Sequence, residues 1–114
     1  MYLAGYALEC ALKEYLIVQE PGALRLSDVI QKWRSEGRNV PDLTGASGHS
    51  LPLLWSVTGL DAALEHDIER KRDLGICFRW KVTLRYGPPT EDPEFVHEFI
   101  NAVERMFHWV NRRI

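Results

Sequence analysis

The chain predicts an all-α fold: an antiparallel bundle of four to five helices, with an extended segment at about 76–86 between the last two. Three observations predict it. "YLAGYALECALKEYL" is apolar on nearly every side, as a helix surrounded by other helices would be. Cap and breaker residues cut the chain into helix-length pieces. The closing stretch repeats apolar residues at helical spacing. With 114 residues, 46% of them hydrophobic and 26% charged, the chain reads as one globular domain, 1–114.

The first helix is predicted over Tyr2–Gln19, stopped by Pro21-Gly22. Gly5, Ala4, Ala7 and Ala11 keep one flank thin so that neighbours approach closely. Cys10 is expected to pack there as a small hydrophobe. Ser27 is the expected cap of "DVIQKWRSE", which buries Val29, Ile30 and Trp33 and ends at Gly37. Residues 37–48 read as a loop. Ser50 caps "LPLLWSVT", with Pro52 in the first turn and Gly59 closing it. Asp61 is expected to cap "AALEHDIERKRDL", with Ala63, Leu64 and Ile68 inward and Gly75 as its end.

"ICFRWKVTLRY" changes period. Ile76, Phe78, Trp80, Val82, Leu84 and Tyr86 alternate with Cys77, Arg79, Lys81, Thr83 and Arg85, a strand signal. No second stretch offers a partner, and a lone strand is not stable. The segment therefore either lies extended across the bundle or pairs with its own copy in a dimer; the first is favoured. Asp92 then caps a helix with Pro93 at its first position. Its predicted apolar stripe is Val96, Phe99, Ile100, Val103, Phe107 and Val110. His97, Asn101, Glu104, His108 and Asn111 share one flank.

A formal net charge of −2 gives no overall basic field, yet the positive charge is concentrated in "RKRDLGICFRWKVTLR". Two cysteines are too few for a disulfide scaffold. No signal peptide is recognisable, and the longest uncharged run, 43–60, is broken by Pro52 and glycines. A reduced, cytoplasmic protein without membrane association is expected.

Four pieces in order, "YLAGYALECALKEYL", "GHSLPLLWSVTGL", "WKVTLRY" and the long closing helix, resemble the HEPN family of small helical-bundle proteins. The AGYA-x-ECALK core carries most of the likeness. Family members usually carry extra residues ahead of it, so the first helix is expected to be shorter here. The resemblance implies a helical bundle, often a homodimer, with links to RNA, to toxin–antitoxin or defence systems, and in some members to a nucleotidyltransferase partner. It also implies metal-independent ribonuclease activity through an Arg, four to six residues, and a His on the last helix. Here Arg105 and His108 are separated by two residues, Arg85 and His97 by eleven, and Arg38 and His49 by ten. The signature is absent, so no catalytic residue is carried over. The expectation is a divergent or non-catalytic member that binds RNA or nucleotide, or else a protein-interaction module.

Two sets of residues are candidates for binding. Glu9, Lys13, His49, Arg85 and Tyr86 match the family's polar marks. Charges on an apolar helix need partners, so Arg85 is expected to reach Glu9, with His49 bordering them. That cluster would either hold a phosphate or nucleotide or simply pin the extended segment to the bundle. The second set is the basic run Arg70, Lys71, Arg72, Arg79 and Lys81. With Phe78 and Trp80 it has the composition of a single-strand groove, or of a charged edge that resists strand pairing. His108, one turn from Glu104, has the chemistry for acid–base work, but the arc is better read as the solvated flank of an amphipathic helix. Zinc, P-loop and dinucleotide spacings do not occur. No metal and no cofactor are expected.

Overall fold

A computed structural model describes residues 3–40, 43, 50–79 and 93–114. These form five α-helices: α1 Leu3–Gln19, α2 Leu26–Ser35, α3 Leu51–Thr58, α4 Ile68–Cys77 and α5 Pro93–Asn111. A 3-10 helix, Leu60–Leu64, joins α3 to α4. The fold is an all-α bundle. Helix α1 is its hub and touches α2, α3 and α5, while α4 packs on α5.

The hub position follows from the sequence of α1. Leu8, Ala11, Leu12 and Leu16 are almost wholly buried, each leucine contributing roughly 2 kcal/mol of apolar burial. Buried Gly5 keeps its flank thin. The burial is not all-round, however. Ala7, Cys10, Glu14 and Val18 form an outward row, with Val18 50% exposed. Cys10 is therefore an exposed thiol rather than a packed one.

Helix α3 forms as its caps dictate. The Ser50 hydroxyl accepts from the Leu53 N–H at 3.4 Å, and Gly59 ends the helix at φ 73°, a left-handed conformation suited to glycine. Helix α2 starts earlier than Ser27 suggests, because Asp28 does the capping. Its carboxylate accepts from the Leu24 and Arg25 N–H groups, both at 3.0 Å. These two bonds hold the Asp28 carboxyl below its usual value of 3.8.

The predicted helix 62–74 is two pieces. Asp61 does not cap it; instead its carboxylate accepts from Trp55 Nε1 and satisfies that buried indole. The cap is Asp67, whose carboxylate accepts from the Arg70 N–H at 3.0 Å. This register turns Ile68 outward, at 80% exposed, and leaves Ala63 exposed, while Leu64 is buried as expected. Gly75 does not stop α4, which continues to Cys77; an interior glycine lowers helix stability by about 1 kcal/mol without breaking it.

The expected extended segment accordingly does not begin at residue 76. Ile76 and Cys77 lie in the last turn of α4, and the Phe78 N–H donates to the Leu74 carbonyl at 2.9 Å. Cys77 joins Asp73 and Leu74 on the buried face, a helical spacing that overrides the alternation. Residues 80–86 lie outside the described residues. In α5 the buried face is Phe99, Ala102, Val103, Met106, Trp109 and Val110, so the stripe is rotated from the predicted one and leaves Ile100 38% exposed. Trp109 meets Trp55 of α3 with ring centroids 5.8 Å apart.

Candidate functional site

Among the described residues, one charged cluster joins elements far apart in the chain. Asp73 is 4% exposed on the α4 face that packs on α5. Burying a carboxylate is unfavourable unless donors surround it. Arg105 of α5 supplies two, with Nε donating to Oδ2 at 2.9 Å and Nη2 to Oδ1 at 2.8 Å. Arg70, one turn earlier on α4, brings Nη1 to 3.0 Å from Oδ2. The bidentate fork fixes the Arg105 plane. The Asp73 bond raises the pKa of Arg105 further above its already high value. Beneath the cluster, burial and the neighbouring Asp73 charge push the Cys77 thiol up to about 12, which keeps it protonated and unreactive.

Two guanidinium groups share the Asp73 carboxylate, and the surrounding lining is balanced, with Arg70, Arg72 and Arg105 against Glu69, Asp73 and Glu98. Arg70, Asp73 and Arg105 border a groove of about 570 Å³ between α4 and α5, lined also by Glu69, Arg72, Ile76 and Glu98. The Glu69 side chain is 87% exposed, with its carboxylate 3.5 Å from Arg70; so exposed an ion pair contributes little. A second concavity of about 480 Å³ continues along α5 past His97, Glu98 and Asn101, sharing Glu98 and Arg105 with the first. The groove thus offers cationic donors at one end and a carboxylate with an amide further along. It can take an oxyanion together with hydroxyl or amino groups.

The sequence candidates are placed unevenly. Glu9 is 4% exposed on α1, and Lys13 donates to it at 2.8 Å from one turn on. His49, Arg85 and Tyr86 lie outside the described residues, as does Lys81. In the basic run, Lys71 and Arg72 are exposed and Arg70 is turned onto Asp73. Arg79 lies with its guanidinium 4.1 Å from the Phe95 ring centroid, a cation–π contact that ties the end of α4 to the start of α5. His97, Glu104 and His108 are exposed, with His108 Nε2 4.0 Å from Glu104 Oε1. That distance makes the pair a surface feature.

Sequence reasoning missed Asp73 and Arg105 as site residues. The three-residue step from Arg70 to Asp73 was a usable local signal, but nothing local links either of them to Arg105. Among the described residues, no group of three or more His, Cys, Asp or Glu side chains could hold a metal ion, and no helix is long and apolar enough to cross a membrane. No protein-family model, curated protein or solved structure matches this chain.

Proposed function

We propose that the protein is a divergent, non-catalytic HEPN-like bundle that binds RNA or nucleotide in an RNA-linked, toxin–antitoxin or defence setting. The observation that carries this reading is the arginine array on α4 and α5. Arg70 and Arg105 are oriented by buried Asp73, and exposed Lys71 and Arg72 stand on the same helix. Guanidinium groups held in fixed planes suit phosphate oxygens, and the Arg105 plane is fixed here by its two bonds to Asp73. The AGYA-x-ECALK likeness and the all-α bundle agree with the family reading, and the missing Arg–His spacing favours binding over cleavage.

The test is fluorescence anisotropy of labelled single-stranded RNA across a salt series. The reading expects binding at low salt that weakens steeply as salt rises, because each phosphate neutralised releases a counterion. No binding at low salt would remove it.

A second reading has its own observation. The outward row Ala7, Cys10, Glu14 and Val18 on α1, with Leu24 86% exposed beyond it, leaves apolar surface uncovered. On that reading the chain is a protein-interaction module, acting as a homodimer or with a nucleotidyltransferase-type partner. Light scattering across a concentration series separates the two: a salt-insensitive dimer with no RNA binding supports the interaction module.

A further inference from the structure

We propose that the α4/α5 groove seats one ribonucleotide unit, its phosphate against Arg70, Arg72 and Arg105 and its ribose hydroxyls against Glu98 and Asn101. This deepens the RNA or nucleotide reading above and rests on it. Asp73 is the fixed point of the groove. A carboxylate only 4% exposed that binds two arginines acts as an anchor for them. Yet the arginine side chains keep 21% and 45% of their surface open, and both line the groove. Each guanidinium has five N–H donors, and Asp73 takes two from Arg105 and one from Arg70. Arg72, exposed on the same wall, adds a third guanidinium, and exposed Glu69 stands 3.5 Å from Arg70 beside it.

An array made only to recognise phosphate would exclude carboxylates, and this groove does not. Glu98 lines both concavities, and half-buried Asn101 lies one turn further toward Arg105. Residues 98, 101 and 105 fall at i, i+3 and i+7, on one face of α5 spanning about 10 Å along its axis. A bare phosphate would be repelled by Glu98. A ribonucleotide carries the anion at one end and hydroxyl donors at the other, so each end meets a complementary group. Carboxylates are suitable acceptors for ribose hydroxyls, and the 2′-hydroxyl is the group that separates RNA from DNA.

The experiment is an NMR titration of the full chain with 5′-AMP, 2′-deoxy-AMP and inorganic phosphate at matched ionic strength, following arginine Nε and Asn101 amide signals. The proposal expects 5′-AMP to shift Arg105, Arg70 and Asn101. It expects 2′-deoxy-AMP and phosphate to bind roughly tenfold more weakly, the loss of a hydrogen bond to a charged group. Arg72→Ala, at an exposed position, should weaken 5′-AMP by roughly tenfold, and Glu98→Ala should abolish the preference for ribose over deoxyribose. Equal affinity for all three ligands would overturn the proposal, as would shifts that leave the groove untouched. RNA that binds and shifts only Lys71 and Arg79 would leave the RNA reading standing and the seat refuted. 5′-AMP in the groove without RNA binding would uphold the seat and refute the RNA reading.

Discussion

Two buried carboxylates, Glu9 on α1 and Asp73 on α4, are equally exposed at 4%, and their partners among the described residues are placed differently. Lys13 reaches Glu9 from one turn away on the same helix, so that bond acts within α1. Asp73 takes one arginine from its own helix and a second from 32 residues away, so its bonds also fix how α4 lies on α5. An ion pair within one helix adjusts local stability. One between helices sets a relative position, and here it lies beside a groove. The difference also separates the two cysteines: Cys10 rides on the outward row of α1, while Cys77 is sealed beneath Asp73.

The largest expected effect concerns those thiols. In the native protein at pH 8, a thiol reagent should label Cys10 within minutes. Cys77, buried and with its pKa pushed up to about 12, should react only through unfolding, roughly a thousandfold or more slower. Two thiols titrating at similar rates would break the contrast. Next comes Arg105→Met, which leaves Asp73 short of its two-bond partner. Thermal or urea unfolding should show a loss of about 2 kcal/mol, below the 3–5 typical of fully buried pairs, because the Arg105 side chain is 45% exposed. Lys13→Met should lose about 1 kcal/mol or less in the same assay, as expected for a one-turn pair with a partly exposed lysine. A larger loss at Lys13 than at Arg105 would reverse the comparison.

The smallest effect lies at the start of α2. Asp28 has a lowered folded pKa, so its contribution is present above the usual value of 3.8 and is lost as pH falls through the lower folded value. Asp28→Asn should therefore reduce stability at pH 7 and make progressively less difference as the pH is taken down below 3.8. Urea midpoints along that pH series check this; an equal loss throughout would contradict the cap.

What could be read from the chain follows the same division between local and distant. Helix α3 was legible to the residue because Ser50 and Gly59 act within one turn. The bundle class was legible because α1 is apolar enough to need neighbours, although the Ala7–Cys10–Val18 row shows that apolar composition alone does not say which side is covered. The start of the extended segment was misread because alternation at Ile76 and Phe78 coexists with helical spacing at Asp73, Leu74 and Cys77, and packing on α5 decided between them. The α5 stripe was rotated because Ala102, Met106 and Trp109 carry weaker apolar signals than the valines and phenylalanines used to draw it. At the site, the basic run was visible as charge. Its division into an anchored Arg70 and an exposed Lys71 and Arg72 depends on Asp73 being buried, which no local pattern gives. Arg105 was considered only for its spacing from histidine, and its partner lies on another helix.

The central claim is that Asp73 and Arg105 are present for the groove more than for stability. A double substitution, Asp73→Leu with Arg105→Met, tests it most directly, since it removes the buried carboxylate together with its half-exposed partner and leaves Arg70 with Glu69 3.5 Å away. Unfolding and RNA anisotropy would be measured on the same sample. The expected result is a melting temperature close to that of the unsubstituted protein and RNA binding weakened by roughly tenfold. Unchanged RNA binding in a folded double variant would contradict it.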